Sequence, residues 1–491
     1  MPTRLRCGTP RVLAFLEFVF AMTPRDYLRM YRRDDRLTTG GFYPDAPLEV
    51  NAGETVAVVM LNHGGPNALE DVEPFLYNLF MDPAVVDLPL GRFLRHWMAR
   101  GLARMRAPSV AEDYERIGGS SPINRLTQEQ ATGLERHLNA TYGRPAGVTF
   151  RTYMAMRYWH PFSEEAAAQM EEDGVDRVVL LPLYPHWSAT TSGASIAYWH
   201  ALDETGEIPS WPTTSVFEYA AHPKYVQAIS ERIDEALQRF PASVRNDVHL
   251  LFSALGTPRN ERTVHGDPYC CHLHSTVTDV VQRRDGDPSY TVSFQGQDGF
   301  AEWLSPSTTR ALRDLAEQDV DGVLVVPISY LADHVETHYD LDIEVRQAAE
   351  TAGIRHFEVA SGLNAHPLLI EALAEASLEQ LRLPAASDAT PADPTPGADD
   401  EAGQERNRPT RPPRSGSDTP RYELTQQSMR CPQCERETGA RRWTMRHDGS
   451  TSTTDAAQTD SQQTDPQQTD PQQTDPQQTD PQQTDPQQTD P

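Results

Sequence analysis

The stretch GVLVVPISYLADHVETHYDLDIEVRQAAE, residues 322–350, decides the fold. It opens on an almost unbroken, valine-rich apolar run, GVLVVPISY at 322–330, and passes into an amphipathic segment for which the spacing predicts a helix over 340–352. A strand that is apolar on both faces must be covered on both, the condition of a parallel sheet flanked by helices. The same alternation runs outward in both directions. Similar strand candidates are TVAVVML (55–61), VTFRTYMAM (148–156), RVVLLPLYP (177–185), VHLLFSAL (248–255), YTVSFQG (290–296) and HFEVASG (356–362). Helical spacing is found at 69–80, 128–138, 163–172, 223–240, 307–318 and 367–381. The class is therefore α/β. A turn-rich stretch at 207–214 and a fresh strand–helix series from Val248 predict two doubly wound halves, 54–235 and 236–383. Ligands are expected at the carboxyl ends of the strands.

The flanks read differently. Residues 1–53 form an N-terminal extension of uncertain start, since Met22 and Met30 are alternative first residues. Its apolar stretch from Val12 to Met22 is only as long as a signal-peptide core, and Glu17 breaks it, so neither secretion nor a membrane span is expected. Peripheral contact with a membrane stays open. After Leu383 the composition turns to Pro, Ala, Asp, Thr and Gly, and the chain ends in six tandem copies of QQTDP. Such a segment buries too little apolar surface to offset its ordering entropy, so 384–491 reads as a disordered acidic tail. One island interrupts it, 422–446, with CPQC and Trp443.

Lys and Arg total 43 against 71 Asp and Glu, and a net charge of −28 excludes nonspecific binding to nucleic acid. Lys224 is the single lysine. Acid excess on this scale fits a cytoplasmic protein of a salt-rich interior, where screening tolerates self-repulsion. The five cysteines, Cys7, Cys270, Cys271, Cys431 and Cys434, are too few and too unevenly spaced for a disulfide framework.

The strongest chemical signal follows the strand at 322–330. Asp333, His334 and Glu336 come first, then Asp340 and Glu344 at successive i, i+4 spacings, which place three carboxylates on one helix face. In a chain this acidic the plain reading is a solvated face. Placement argues for more, because the set begins where a buried strand ends. A line of oxygen ligands with an imidazole at its inner end suits a divalent first-row metal in transit. Elsewhere, LNHGGPNALEDV at 61–72 places a Gly-Gly turn between strand and helix, without a dinucleotide fingerprint. YERIGGSSPIN at 114–124 is a loop able to wrap a ligand, with Arg106, Tyr114 and Ser121 near it. Arg157, Tyr158 and His160, with His186 and Trp187, add aromatic and cationic groups suited to a flat apolar ligand carrying acids.

Taken in order, LNHGGP, FLYNLFMDP, YERIGGSSPI, RYWHPF, YPHWSATTSGAS, FSALGTP, HGDPY, EWLSPST and ADHVETHYDLD resemble the ferrochelatase family across roughly 54–383. The resemblance implies two Rossmann-like, chelatase-like domains with the porphyrin in the cleft between them. It also implies a lyase that inserts ferrous iron, its substrate metal, into protoporphyrin IX in the final step of haem biosynthesis. Carried over by motif, Arg106, Tyr114, Ser121 and Arg157 would meet the macrocycle or its propionates, with Trp303 and Tyr330 lining the pocket. His334, Glu336, Asp340 and Glu344 would form the metal or proton path. Iron cannot enter a flat ring bearing two inner N–H groups, so a base must stand beside an apolar slot. Glu336 suits that part, because burial favours the protonated form of a carboxyl.

Two departures qualify the resemblance. Where the family continues Phe-Ser-Ala with a histidine, its metal ligand or proton acceptor, this chain has Leu255, which can be neither. Either insertion is impaired, or another imidazole substitutes, or the residue is engineered or erroneous. His63, in LNHGGP, holds a position whose side chain in relatives lies near the ring centre; an incidental turn histidine is the competing reading. The alternatives in function are a porphyrin- or haem-binding protein without insertion activity and a chelatase for another tetrapyrrole. Some relatives also carry an iron–sulfur cluster on cysteines of a C-terminal extension. Here Cys431 and Cys434 supply two thiolates where four are normal, and Ala189 stands at an internal ligand position. Cys270 and Cys271 would help only if the tail folded back; otherwise they begin a helix capped by Asp267. A cluster is therefore not expected, and a vestigial or weak zinc-binding pair ranks above it.

Overall fold

The computed structural model describes residues 46–83, 92–259, 261, 266–284, 289–296 and 302–385, plus 421–430 and 437–446, the latter two stretches and residues 92–93 by backbone alone. The strands are β1 Leu48–Glu49, β2 Thr55–Asn62, β3 Thr149–Met156, β4 Arg177–Pro182, β5 Thr213–Ser215, β6 His249–Leu255, β7 Tyr290–Gln295, β8 Gly322–Pro327, β9 His356–Val359 and β10 Leu381–Arg382. They form two four-stranded parallel sheets, β3-β2-β4-β5 and β7-β6-β8-β9. The order is the same in both. In each sheet the first strand lies between the second and the third, so the connections diverge there and open a crevice at the carboxyl ends. One such switch point lies between β2 and β4, the other between β6 and β8.

The continuous apolar strands are explained by what covers them. Val56, Val58 and Met60 of β2 face a large core that also takes in Leu250 and Phe252 of β6 and Leu324 and Val326 of β8. Ala57, Val59 and Leu61, on the other face of β2, pack with Ile196, Trp199 and Leu202. In the second sheet Val323 and Val325 pack outward against Leu312, Leu315 and Leu341. Helices Ile123–Leu138, Pro223–Leu237, Tyr269–Arg283 and Pro367–Leu378 fill the shared core.

All seven predicted strands are present, with ends shifted by a few residues. Several expectations are corrected. The helix expected over 340–352 begins at Glu336, as a π-helical segment Glu336–Val345 running into Arg346–Ala352. The helix expected from 128 starts at Ile123. The stretch at 207–214 leads into strand β5 rather than a plain turn. Two helices were not anticipated. Arg92–Arg116 buries Arg95, Ala99, Ala103 and Ala107, a line too small and polar to register as an apolar stripe. Ala194–Glu204 is buried nearly all round, so it has no amphipathic period to detect.

The end of the extension joins the fold. β1 pairs in parallel with β10, so the ordered fold includes Leu48 and Glu49, ahead of the expected boundary at 54. Strands Arg421–Arg430 and Glu437–Arg446 form an antiparallel pair that coincides with the island set apart in the tail. Cys431 and Cys434 fall between those strands, outside the described residues, as do residues 1–45 and the QQTDP repeats. Cys270 and Cys271 are buried in the first turn of Tyr269–Arg283, where the Tyr269 N–H donates to Asp267 Oδ1 at 2.9 Å. Among the described residues no helix is long and apolar enough to cross a membrane.

Candidate active site

Both switch points carry chemistry-bearing residues at the strand ends. Past β2 comes His63, and its conformation is fixed from several sides. The Asn62 carboxamide oxygen accepts the His63 N–H at 2.8 Å, and the Tyr158 N–H donates to the His63 carbonyl at 3.1 Å. Nδ1 lies 2.9 Å from the Gly64 carbonyl oxygen. A carbonyl can only accept, so Nδ1 carries the hydrogen and Nε2 keeps its lone pair. The ring packs edge-on to Tyr158 at 4.8 Å and against Phe75 at 5.6 Å. Burial lowers its pKa, against the opposing pull of the Gly64 carbonyl and the Glu336 charge, and so favours the neutral ring.

The glycines after His63 are there for room. Gly64 adopts a φ of +78°, and a Cβ at Gly65 would stand 2.6 Å from Ser121 Oγ. That approach seats LNHGGP on the loop at 117–122, where the Ser121 N–H donates to the Pro66 carbonyl at 2.8 Å and Asn124 Nδ2 donates to the Gly65 carbonyl at 2.8 Å. Tyr114, in the last turn of Arg92–Arg116, is buried beside Ser121. Burial first, then the Glu336 charge, raises its phenol well above the ordinary value.

At the second switch point β6 ends on Leu255. Its N–H donates to Ser329 Oγ at 2.8 Å, and its carbonyl accepts the Tyr269 hydroxyl at 3.0 Å. The Tyr269 and Ser329 oxygens are 2.6 Å apart, closing a ring of hydrogen bonds around the Leu255 backbone. Past β8 the chain turns through Tyr330, whose ring lies 6.1 Å from Tyr184 and 4.1 Å from His334. His334 is 7% exposed, and neither ring nitrogen has a hydrogen-bond partner among the described residues. Glu336 Oε2, also without one, lies 3.7 Å from His334 Nε2.

Burial relaxes along the line expected for the metal path. His334 is buried, Glu336 and Asp340 are half-buried, and Glu344 is exposed. A π turn closes i→i+5, so positions four apart fall just short of a turn and stay on one side. Among the described residues no three His, Cys, Asp or Glu side chains gather as a cage for an ion. Glu336, Asp340 and Glu344 instead follow one another along the helix. Asp333 is a strut: its Oδ1 accepts the Gly362 N–H at 2.8 Å and its Oδ2 accepts from Asn364 Nδ2 at 2.7 Å.

The remaining sequence candidates divide. Tyr114, Ser121, His63, Tyr330, His334 and Glu336 come together, since the Glu336 charge acts on His63, Tyr114, Tyr184, Tyr269 and Tyr330. Trp303 is half-buried and bridges to Pro258, beside the turn that follows Leu255. Arg106 is exposed on its helix. Arg157 is committed elsewhere: buried over the Tyr198 ring at 4.1 Å, it pairs with Asp82 at 2.8 Å, and the Tyr158 hydroxyl donates to the same carboxylate at 2.9 Å. Tyr184, Tyr269 and Ser329 were not singled out from the sequence; each lies just past a strand end or opens a helix after one.

Comparison with known proteins bears on the same residues. Residues 55–381 match the Ferrochelatase family. The chain is 39% identical over 330 residues to a ferrochelatase of Nostoc punctiforme, an alignment covering 67% of this chain and 83% of that protein. It is 40% identical over 331 residues to a ferrochelatase of Synechococcus elongatus, covering 67% and 84%. Among solved structures, SirB from Bacillus subtilis with Fe3+ superposes at a TM-score of 0.41 and 12% identity, covering 66% of this chain and 95% of that one. The matched segment runs from the first strand of the first sheet to β10 and contains both switch points, so by sequence across its whole described core the chain belongs to the ferrochelatase family.

Proposed function

We propose that the chain inserts ferrous iron into protoporphyrin IX, the macrocycle lying against the aromatic groups between the two switch points and its inner nitrogens facing Glu336. The observation that carries this reading is the pair His334 and Glu336, buried to half-buried, whose imidazole nitrogens and Oε2 have no hydrogen-bond partner among the described residues, with the tyrosines at 114, 184 and 330 within reach of the Glu336 charge. Polar atoms kept unsatisfied at such a place are costly, and chemistry on a bound ligand accounts for them. Glu336 accepts a pyrrole proton, His334 holds that carboxylate and shares its proton, and Asp340 and Glu344 conduct the ion or the proton to solvent. Tyr114, Ser121 and Trp303 border the ring, Arg106 meets a propionate, and Arg157 positions Tyr158. Metal insertion into protoporphyrin IX by the purified protein, followed through the porphyrin's absorbance with ferrous iron and with zinc, tests the reading. No insertion of either metal, with tight porphyrin binding, would leave a binding protein in its place.

The enzyme acts in the cytoplasm and touches the membrane peripherally. Leu94, Trp97 and Met105 are 54%, 56% and 67% exposed on the side of Arg92–Arg116 away from its buried alanines. Arg100 and Arg104 are exposed beside them. Apolar side chains rimmed by arginine suit an anionic lipid surface, where an apolar substrate also partitions.

A further inference from the structure

We propose that His63, through Nε2, accepts one of the two pyrrole protons released during insertion, the task that Leu255 cannot perform. This rests on the insertion reading above and names the second base that reading requires. Each pyrrole N–H bond breaks with its electron pair left on nitrogen, and the two pairs form bonds to the incoming divalent ion. Two protons therefore leave the ring, and a single carboxylate holds only one at a time. Glu336 takes one. His334 is a poor choice for the other, since its Nε2 lies 3.7 Å from Glu336 Oε2 and the two serve one locale of the ring.

His63 is set apart and prepared. Its Nδ1–H is held by the Gly64 carbonyl at 2.9 Å, and its backbone is pinned by Asn62 and Tyr158, so the ring presents Nε2 as a base. It follows a strand of the first sheet, whereas His334 and Glu336 follow a strand of the second. All three nevertheless border one aromatic cluster. Phe75 and Tyr158, which flank the His63 ring, belong to the cluster on which Val335, between His334 and Glu336, also packs. Burial favours the neutral ring, the form that can accept a proton, while the Gly64 carbonyl and the Glu336 charge pull the other way.

The experiment uses the full chain, with zinc insertion into protoporphyrin IX for turnover and tryptophan quenching for porphyrin affinity. Four proteins are compared: the chain as it stands, His63→Met, Leu255→His, and the double variant. Methionine keeps bulk and apolar contact but has no basic nitrogen. His63→Met should lower kcat by roughly a hundredfold while porphyrin Kd and KM change by no more than about twofold. Leu255→His alone should raise kcat by less than about threefold, and in the double variant it should restore most of what His63→Met removes. If His63→Met loses affinity and turnover together and Leu255→His restores neither, His63 is a packing residue and the proposal is overturned. It is equally overturned if His63→Met keeps its turnover. A chain that inserts no metal before any substitution refutes the insertion reading instead. His63→Gln, tested in parallel, covers the case in which the methionine variant does not fold.

Discussion

His334 Nε2 and Glu336 Oε2 stand 3.7 Å apart, close enough to share a charge and too far for a hydrogen bond, and neither atom has a hydrogen-bond partner among the described residues. Buried polar atoms are almost always satisfied, so this pair stands apart from the rest of the core.

Replacing Glu336 with Gln preserves shape and removes basicity. Porphyrin affinity should stay within about twofold while the insertion rate falls roughly a hundredfold or more. Equal rates for the two proteins, measured by zinc insertion, would take Glu336 out of the mechanism.

Asp82 holds the buried Arg157 at 2.8 Å, with side-chain exposures of 1% and 6%. Asp82→Ala leaves a buried guanidinium without its carboxylate and should destabilise the fold by about 3–5 kcal/mol. Replacing both partners, Asp82→Leu with Arg157→Met, should recover much of that loss. Urea unfolding of the three proteins is the measurement.

Burial pushes the Asp267 carboxyl up to about 6, against the hydrogen bonds from Tyr269, Ala189 and Ser188. The folded state then holds a proton that the unfolded chain releases near pH 3.9. The associated stability is fully present below about pH 4 and is lost as pH rises through about 6, a change of about 3 kcal/mol. Unfolding of the wild type relative to Asp267→Asn, from pH 4 to 7, should follow that slope. A flat difference would mean that the hydrogen bonds outweigh desolvation.

Trp97→Ser and Met105→Ser each remove apolar surface from the exposed side of Arg92–Arg116. Sedimentation with vesicles containing anionic lipid should show partitioning that falls roughly tenfold for each change and weakens with salt. Soluble turnover on detergent-dispersed porphyrin should be unaffected.

The sheets were legible because β2, β4, β6 and β8 are covered on both faces, and an apolar strand of that kind has few other readings. The acid line after β8 was legible from its spacing, and its π-helical winding was not, because that winding leaves no distinct pattern in composition. Arg157 reads in sequence as an anion binder next to aromatics. Its partner Asp82 lies far away in the chain, and only the fold brings the two together. The hydrogen-bonded ring of Leu255, Tyr269 and Ser329 was hidden for the same reason. Arg92–Arg116 escaped because its buried line is alanine with one arginine, and small residues carry little hydropathy signal.

That ring also bears on how a leucine came to stand at 255. Ser329 and Tyr269 hold the residue only by its peptide N–H and carbonyl, groups every amino acid but proline possesses. Those two contacts survive any exchange but proline, while the partly buried Leu255 side chain itself packs against the large shared core. A histidine at 255 would keep the ring of hydrogen bonds and give up part of that apolar contact, so the backbone architecture accepts the exchange at a modest cost in packing.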